Sequence, residues 1–275
     1  MNFSKLFFAL GGIVCLALRI FLIFNNNINP ATGFFAGGNF SVSFYNTFLA
    51  LCLVIIVLYG LFKSNPTHFK VKNPLIFGIS SALCGIVILA VSAREFLGVV
   101  QTIFSYVSPE IYIKDSLLYI VYEIFRLFLG IASAATFISF SISNNTFFRH
   151  SGLLLCPSIW TFLYALQQFK SYPQIADMSD RVLWFLTIGF FCLNMLGEAR
   201  IFRSLNSKKG MKYVNAYGYS CALCGFVLLF SQLITLQRVA TLDISQYVLA
   251  GAMAFQALIS AQSISSEEGI FINKN

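Results

Sequence analysis

Two ionisable residues stand three positions apart inside a long apolar run: Glu123 and Arg126, with Tyr119 four residues before the glutamate. At 3.6 residues per turn all three share one helical face. An ionisable side chain at the centre of a membrane-spanning helix costs about 2.5–3.5 kcal/mol on insertion scales, so such residues turn toward protein and mark ligand or ion sites. The chemistry they offer is binding, with Arg126 attracting an anionic group and Glu123 a cation or proton. The competing reading is a self-neutralised pair reaching toward the outer interface. The stripe continues through Gly130, Ser133 and Phe137, whose small members let a neighbouring helix approach.

Two further ligand-binding candidates are Glu198 and Gln256. Glu198 lies in Gly197-Glu198-Ala199-Arg200, one turn after Asn194, and its structural alternative is pairing with Arg200, Arg203 or nearby loop lysines. Gln256 shares a face with Met253, Ser260 and Ser263, where interhelical hydrogen bonding is the default. Arg19 and the pair Arg94-Glu95, near the ends of apolar runs, are expected to extend toward the interface.

No residue set points to catalysis, a metal or a cofactor. His68 and His150 have no partners at metal-ligand spacing, and Cys221-x-x-Cys224 sits within an apolar run without further ligands. The chain has no Gly-rich phosphate loop, nucleophile elbow or zinc-protease signature. A lipid-active enzyme would want carboxylates or histidines at one depth, and only Glu95, Glu110 and Asp115 gather on the outer side.

The elements that hold these residues follow from composition. Of 275 residues 58% are hydrophobic and 10% charged, with a mean hydropathy of +0.79, too few charges for a water-soluble surface. Apolar runs near 3–24, 43–62, 75–93, 117–140, 152–169, 182–202, 214–236 and 244–264 each approach the roughly 20 residues that span hydrocarbon. They do not alternate as barrel strands would. The expectation is an all-α integral membrane protein with eight transmembrane helices; seven is the alternative if the Ala-rich last segment lies at the interface.

The connection from Arg94 to Ser116, apolar from Phe96 to Tyr106, could hold a short interfacial helix. The seven cysteines all fall in apolar runs and read as packing residues, and the opening segment reads as a retained helix, not a leader.

The net charge of +8 is read through loop asymmetry, not as a nucleic-acid footprint. Cytoplasmic N- and C-termini put the two densest basic clusters, Lys63 to Lys72 and Arg203 to Lys212, inside, with Arg19, Arg94, Lys114, Lys170, Arg181 and Arg238 opposite. The location expected is the plasma membrane. Thirty-one Phe with abundant Asn, Ile and Lys suggest an AT-rich bacterial genome.

The chain also repeats. At a constant spacing of 140 residues Ala82-Leu83-Cys84-Gly85 recurs as Ala222-Leu223-Cys224-Gly225, Cys52 matches Cys192, and Phe62-Lys63-Ser64 matches Phe202-Arg203-Ser204. About nineteen identities fall between Phe7 and Leu89 without a gap. Four spans per unit give two parallel repeats, residues 1–140 and 141–275, within one integrated membrane domain. The register fades after Leu89, although Asp115 with Tyr119 and Asp243 with Tyr247 each precede the last span of a unit.

The outer loop from Asn25 to Ser41 is uncharged and rich in turn formers. The pair Leu18-Arg19 followed by Pro30-Ala31-Thr32-Gly33-Phe34 resembles uncharacterised multi-pass membrane proteins of low-GC Gram-positive bacteria. This resemblance spans about the first sixth of the chain; it implies a membrane class but no activity and no functional residue.

Two functional readings follow. One is a permease-like protein that moves or binds a small solute between its halves. The other is a non-catalytic membrane subunit or sensor whose basic cytoplasmic loops dock a soluble partner or anionic lipid headgroups.

Overall fold

The computed structural model describes residues 3–25, 27, 40–62, 69–71, 74–105, 109–142, 152–171, 179–203, 205–234 and 243–266. Among the described residues eight helices form: α1 (Phe3–Phe24), α2 (Phe40–Phe62), α3 (Pro74–Ser105), α4 (Pro109–Ile142), α5 (Cys156–Ser171), α6 (Ser179–Phe202), α7 (Ser207–Ile234) and α8 (Ile244–Ser263). A short 3₁₀ turn, Gly152–Leu155, leads into α5. Two three-residue strands, β1 (Phe69–Val71) and β2 (Ile264–Ser266), pair antiparallel with Phe69 opposite Ser266. They join the α2–α3 connection to the end of α8.

Seven of these helices are long and apolar enough to cross a membrane, so the chain is an all-α multi-pass membrane protein. The short one is α5, with 16 residues, and not α8. The alternative of seven crossings rested on an interfacial Ala-rich last segment, and it is α5 instead that falls short of the length. Ala250, Met253, Ala254 and Ala257 are fully buried in α8, because small side chains let neighbouring backbones close on it from several sides.

The expected interfacial helix between Arg94 and Ser116 is also absent among the described residues. Helix α3 continues to Ser105 and α4 begins at Pro109. Their 32 and 34 residues reach about 48 and 51 Å at 1.5 Å per residue, well beyond about 30 Å of hydrocarbon. Nothing in 94–105 breaks a helix strongly, and proline at the first helical position suits the start of α4 as it does that of α3. Apolar runs show where hydrocarbon lies, not where a helix stops.

Helices α7 and α8 form the centre. Helix α6 lies along α7, while α2 packs on α7 and α1; α3 pairs with α4 and touches α8, and α5 bridges α4 and α6. Buried Trp160, Tyr164, Trp184, Phe137 and Phe191 belong to one continuous core. Outward, Ile13, Leu51, Leu118 and Phe162 are more than half exposed, a surface suited to lipid tails.

Matched residues of the 140-residue spacing take similar places. A side chain on Gly85 would collide with α4 at Phe137 Cβ, 2.9 Å away, and one on Gly225 would collide with α8 at Ala254 Cβ, 2.7 Å away. Each glycine lets the next helix cross closely. Cys84 and Cys224 beside them are both fully buried. The correspondence is incomplete, since α6 runs along α7 whereas α2, its counterpart, packs on α1 and α7.

Candidate functional site

Helix α4 presents Glu123 and Arg126 inward, as their shared face requires, and each is 1% exposed. Arg126 Nη2 donates to Glu123 Oε2 at 2.6 Å and also pairs with Glu95 Oε2 of α3. On the far side of α4, Gln167 Nε2 of α5 donates to Glu123 Oε1 at 2.7 Å. The Arg126 guanidinium lies 5.4 Å above the Tyr164 ring, which stacks on Trp160 at 5.1 Å and meets Trp184 edge-on. One cation is therefore held by two carboxylates and an aromatic face.

Its nitrogens are used unevenly, because both carboxylates take Nη2 while Nε and Nη1 are buried without a hydrogen-bond partner among the described residues. Glu95 keeps 26% side-chain exposure, so the cluster reaches the protein surface there. Tyr119, 42% exposed, stands at the rim beside Glu123.

Small residues on α4 and α3 close this arrangement. The stripe Gly130, Ser133 and Phe137 is buried, as its spacing implies. Gly130 admits Ser92, whose Oγ accepts from Trp160 Nε1 at 2.9 Å; a Cβ on Gly130 would stand 2.3 Å from that oxygen.

A second ion pair occupies the same end of the bundle. Arg19 of α1, expected to reach for the interface, is instead 1% exposed and paired with Asp180 in the first turn of α6. Arg19 Nε donates to Ser231 Oγ at 3.0 Å, and Tyr247 of α8 donates to Asp180 Oδ2 at 2.8 Å. The carboxylate at a helix N-terminus adds a favourable dipole interaction. Between the two ion pairs, Gln246 Nε2 donates to Gln168 Oε1 at 3.1 Å. Adjacent Arg94 and Glu95 part company: Arg94 stays exposed near Ser245 and Asp243, while Glu95 turns to Arg126.

Glu198 does not pair with Arg200, Arg203 or a described loop lysine, contrary to the structural alternative. It is 2% exposed, and its Oε1 accepts from Asn194 Nδ2 at 3.0 Å. One residue step turns a side chain by about 100°, and Arg200, two steps on, lies over the Tyr213 ring at 4.9 Å instead. Gln256 is fully buried on α8, its Oε1 meeting Ser80 Oγ at 2.7 Å and Ser81 Oγ at 3.2 Å. The five sequence candidates thus separate into two groups at opposite ends of the bundle, named for the orientation expected from the sequence: an outer group, Tyr119, Glu123 and Arg126, and an inner group, Glu198 and Gln256.

Glu95, Gln167, Tyr164 and Asp180 were not singled out as ligand-binding candidates. Their only sequence signal is polarity at the edge of an apolar run, and their partners stand on other helices. The loop holding Pro30 to Phe34, the basic residues Lys63 and Lys72, and both histidines lie outside the described residues.

No protein-family model matches the chain, and neither curated proteins nor solved structures give a match.

Proposed function

We propose that this protein is a permease-like membrane protein that binds a small polar solute at the outer end of its bundle, between α3, α4 and α5. The carrying observation is the unequal use of Arg126: two carboxylates share one nitrogen while two others are buried and unpaired. Glu95, Glu123 and Arg126 sum to one net negative charge. A solute bearing both a positive group and an acceptor oxygen, such as a zwitterion, would complement both features.

Eight crossings with both termini cytoplasmic are part of this reading. Helix α5 runs back along α4, from Thr136 Oγ1, 3.2 Å from Leu153 O, to the Gln167–Glu123 contact. The β1–β2 pair sets the end of α8 beside the α2–α3 connection, which an even number of crossings satisfies. The paired Gly85 and Gly225 crossings support two parallel four-helix repeats, 1–140 and 141–275.

The test is gentle purification from native membranes with mass spectrometry of the small molecules retained, for wild type and for Glu123→Gln/Arg126→Ala. A metabolite kept by wild type and lost from the folded variant supports the reading. Equal small-molecule profiles overturn it.

A second reading, docking of a soluble partner on the cytoplasmic side, is favoured by a separate observation. A groove of about 490 Å³ at the α6–α7 turn is lined by Leu155, Leu196, Arg200, Arg203, Leu205 and Lys209. Among the described residues none of these cations pairs with a carboxylate. An acidic partner retained by wild type and lost on Arg203→Ala/Lys209→Ala would establish it.

A further inference from the structure

A second polar site lies nearer the inner ends of the helices, where α3, α6, α7 and α8 meet. Glu198 is a fully enclosed carboxylate with no basic side chain paired to it among the described residues. A charge enclosed in low dielectric needs a countercharge. The neighbours offer oxygen instead. Asn194 Nδ2 serves Glu198 Oε1 at 3.0 Å and lies 3.3 Å from Ser260 Oγ, so the three side chains form one group across α6 and α8.

Within this group two acceptors are unused: Glu198 Oε2 and Asn194 Oδ1 are buried and have no hydrogen-bond partner among the described residues. Both are on α6, one turn apart. A glycine of α7 packs against Asn194. A Cβ built on Gly218 would stand 3.1 Å from Asn194 Oδ1 and 2.9 Å from the Ala257 carbonyl oxygen. The packing there is too close for even one carbon, and it brings Asn194 Oδ1 and the Ala257 carbonyl oxygen onto one contact. An enclosed carboxylate without a countercharge and the unused acceptors beside it suit a hard cation coordinated by oxygen.

We infer that Glu198, Asn194 and Ser260 form a binding site for a small monovalent cation of the sodium type. One carboxylate balances one positive charge, whereas a divalent ion would leave a buried excess. The site is separate from the outer cluster and does not depend on the solute reading.

The test uses the purified full chain in detergent, with unfolding midpoints followed by tryptophan fluorescence. Sodium chloride replaces choline chloride at constant ionic strength and pH, and lithium and potassium chlorides test size. A ligand that binds only the folded state raises the midpoint saturably with its concentration. Wild type should show that rise with sodium and not with choline. Glu198→Gln should abolish it, Asn194→Ala should move it to roughly tenfold higher sodium, and Glu123→Gln should leave it in place.

Equal midpoints in sodium and choline overturn the site, as does a wild-type sodium response in folded Glu198→Gln. Loss of the response in Glu123→Gln, with Glu198 intact, assigns the ion to the outer cluster and also overturns it. A dependence on pH alone means that a proton, not a metal cation, balances Glu198. Should Glu198→Gln fail to fold, the wild-type ion series and Asn194→Ala, which keeps the carboxylate, decide the matter.

Discussion

The outer cluster around Arg126 and the inner group around Glu198 are both buried polar islands in one helix bundle, but their charges are balanced in opposite ways. Outside, a guanidinium is gripped by Glu123 and Glu95 and capped by the Tyr164 ring. Inside, a carboxylate takes an amide hydrogen bond from Asn194 and pairs with no basic side chain among the described residues. The difference teaches that burial alone does not define a role. A charge with internal partners stabilises the assembly of the helices that supply them, whereas one without them is bound to something else or carries a penalty.

The largest effect expected from breaking this contrast is at Arg126. Arg126→Leu leaves two carboxylates facing each other without a cation, and unfolding in detergent should lose about 3–5 kcal/mol. Adding Glu95→Gln and Glu123→Gln should recover most of that loss; failure to recover would mean that packing against Tyr164, not charge, dominates.

Next in size is Gly130→Ala, whose new methyl would meet Ser92 Oγ at 2.3 Å and Ser92 Cβ at 2.8 Å. Overpacking there should cost about 1–3 kcal/mol by the same unfolding measurement. The two glutamates can then be compared directly. In sodium-free choline buffer Glu123→Gln should lose about 1–3 kcal/mol, because it weakens a charge-assisted bond. Glu198→Gln should change stability by less than about 0.5 kcal/mol or raise it, since it removes an uncompensated charge. Equal losses at both positions would erase the distinction.

A small effect of the opposite sign is expected at Gly189, where a Cβ would meet nothing within 4 Å. Gly189→Ala should stabilise α6 by about 0.5–1 kcal/mol through chain entropy, visible as a slightly higher unfolding midpoint.

Much of the scaffold was legible because hydrocarbon imposes a length and composition rule on each span independently. All eight apolar runs became helices, and the shared face of Glu123 and Arg126 followed from local helical periodicity. The ends of α3 and α4 were not legible, since a helix continues past the length hydrocarbon requires wherever nothing in the sequence breaks it. Nor was the ranking of α5 and α8: hydropathy measures affinity for lipid, while α8 owes its place to small residues packed against protein. Five of the seven cysteines are buried, as their apolar settings implied, because a small, weakly polar thiol packs like a hydrophobe, while Cys156 and Cys192 are only partly buried.

The sequence by itself determined the membrane class, the helices and the inward face of α4, because periodicity and apolar length act within a single segment. Only the tertiary structure decided that Glu95 and not Arg94 meets Arg126, that Arg19 is buried against Asp180, and that Glu198 pairs with no basic side chain among the described residues. Those outcomes depend on which helices lie adjacent and at what depth, and residues up to 161 positions apart along the chain carry no local sign of their meeting.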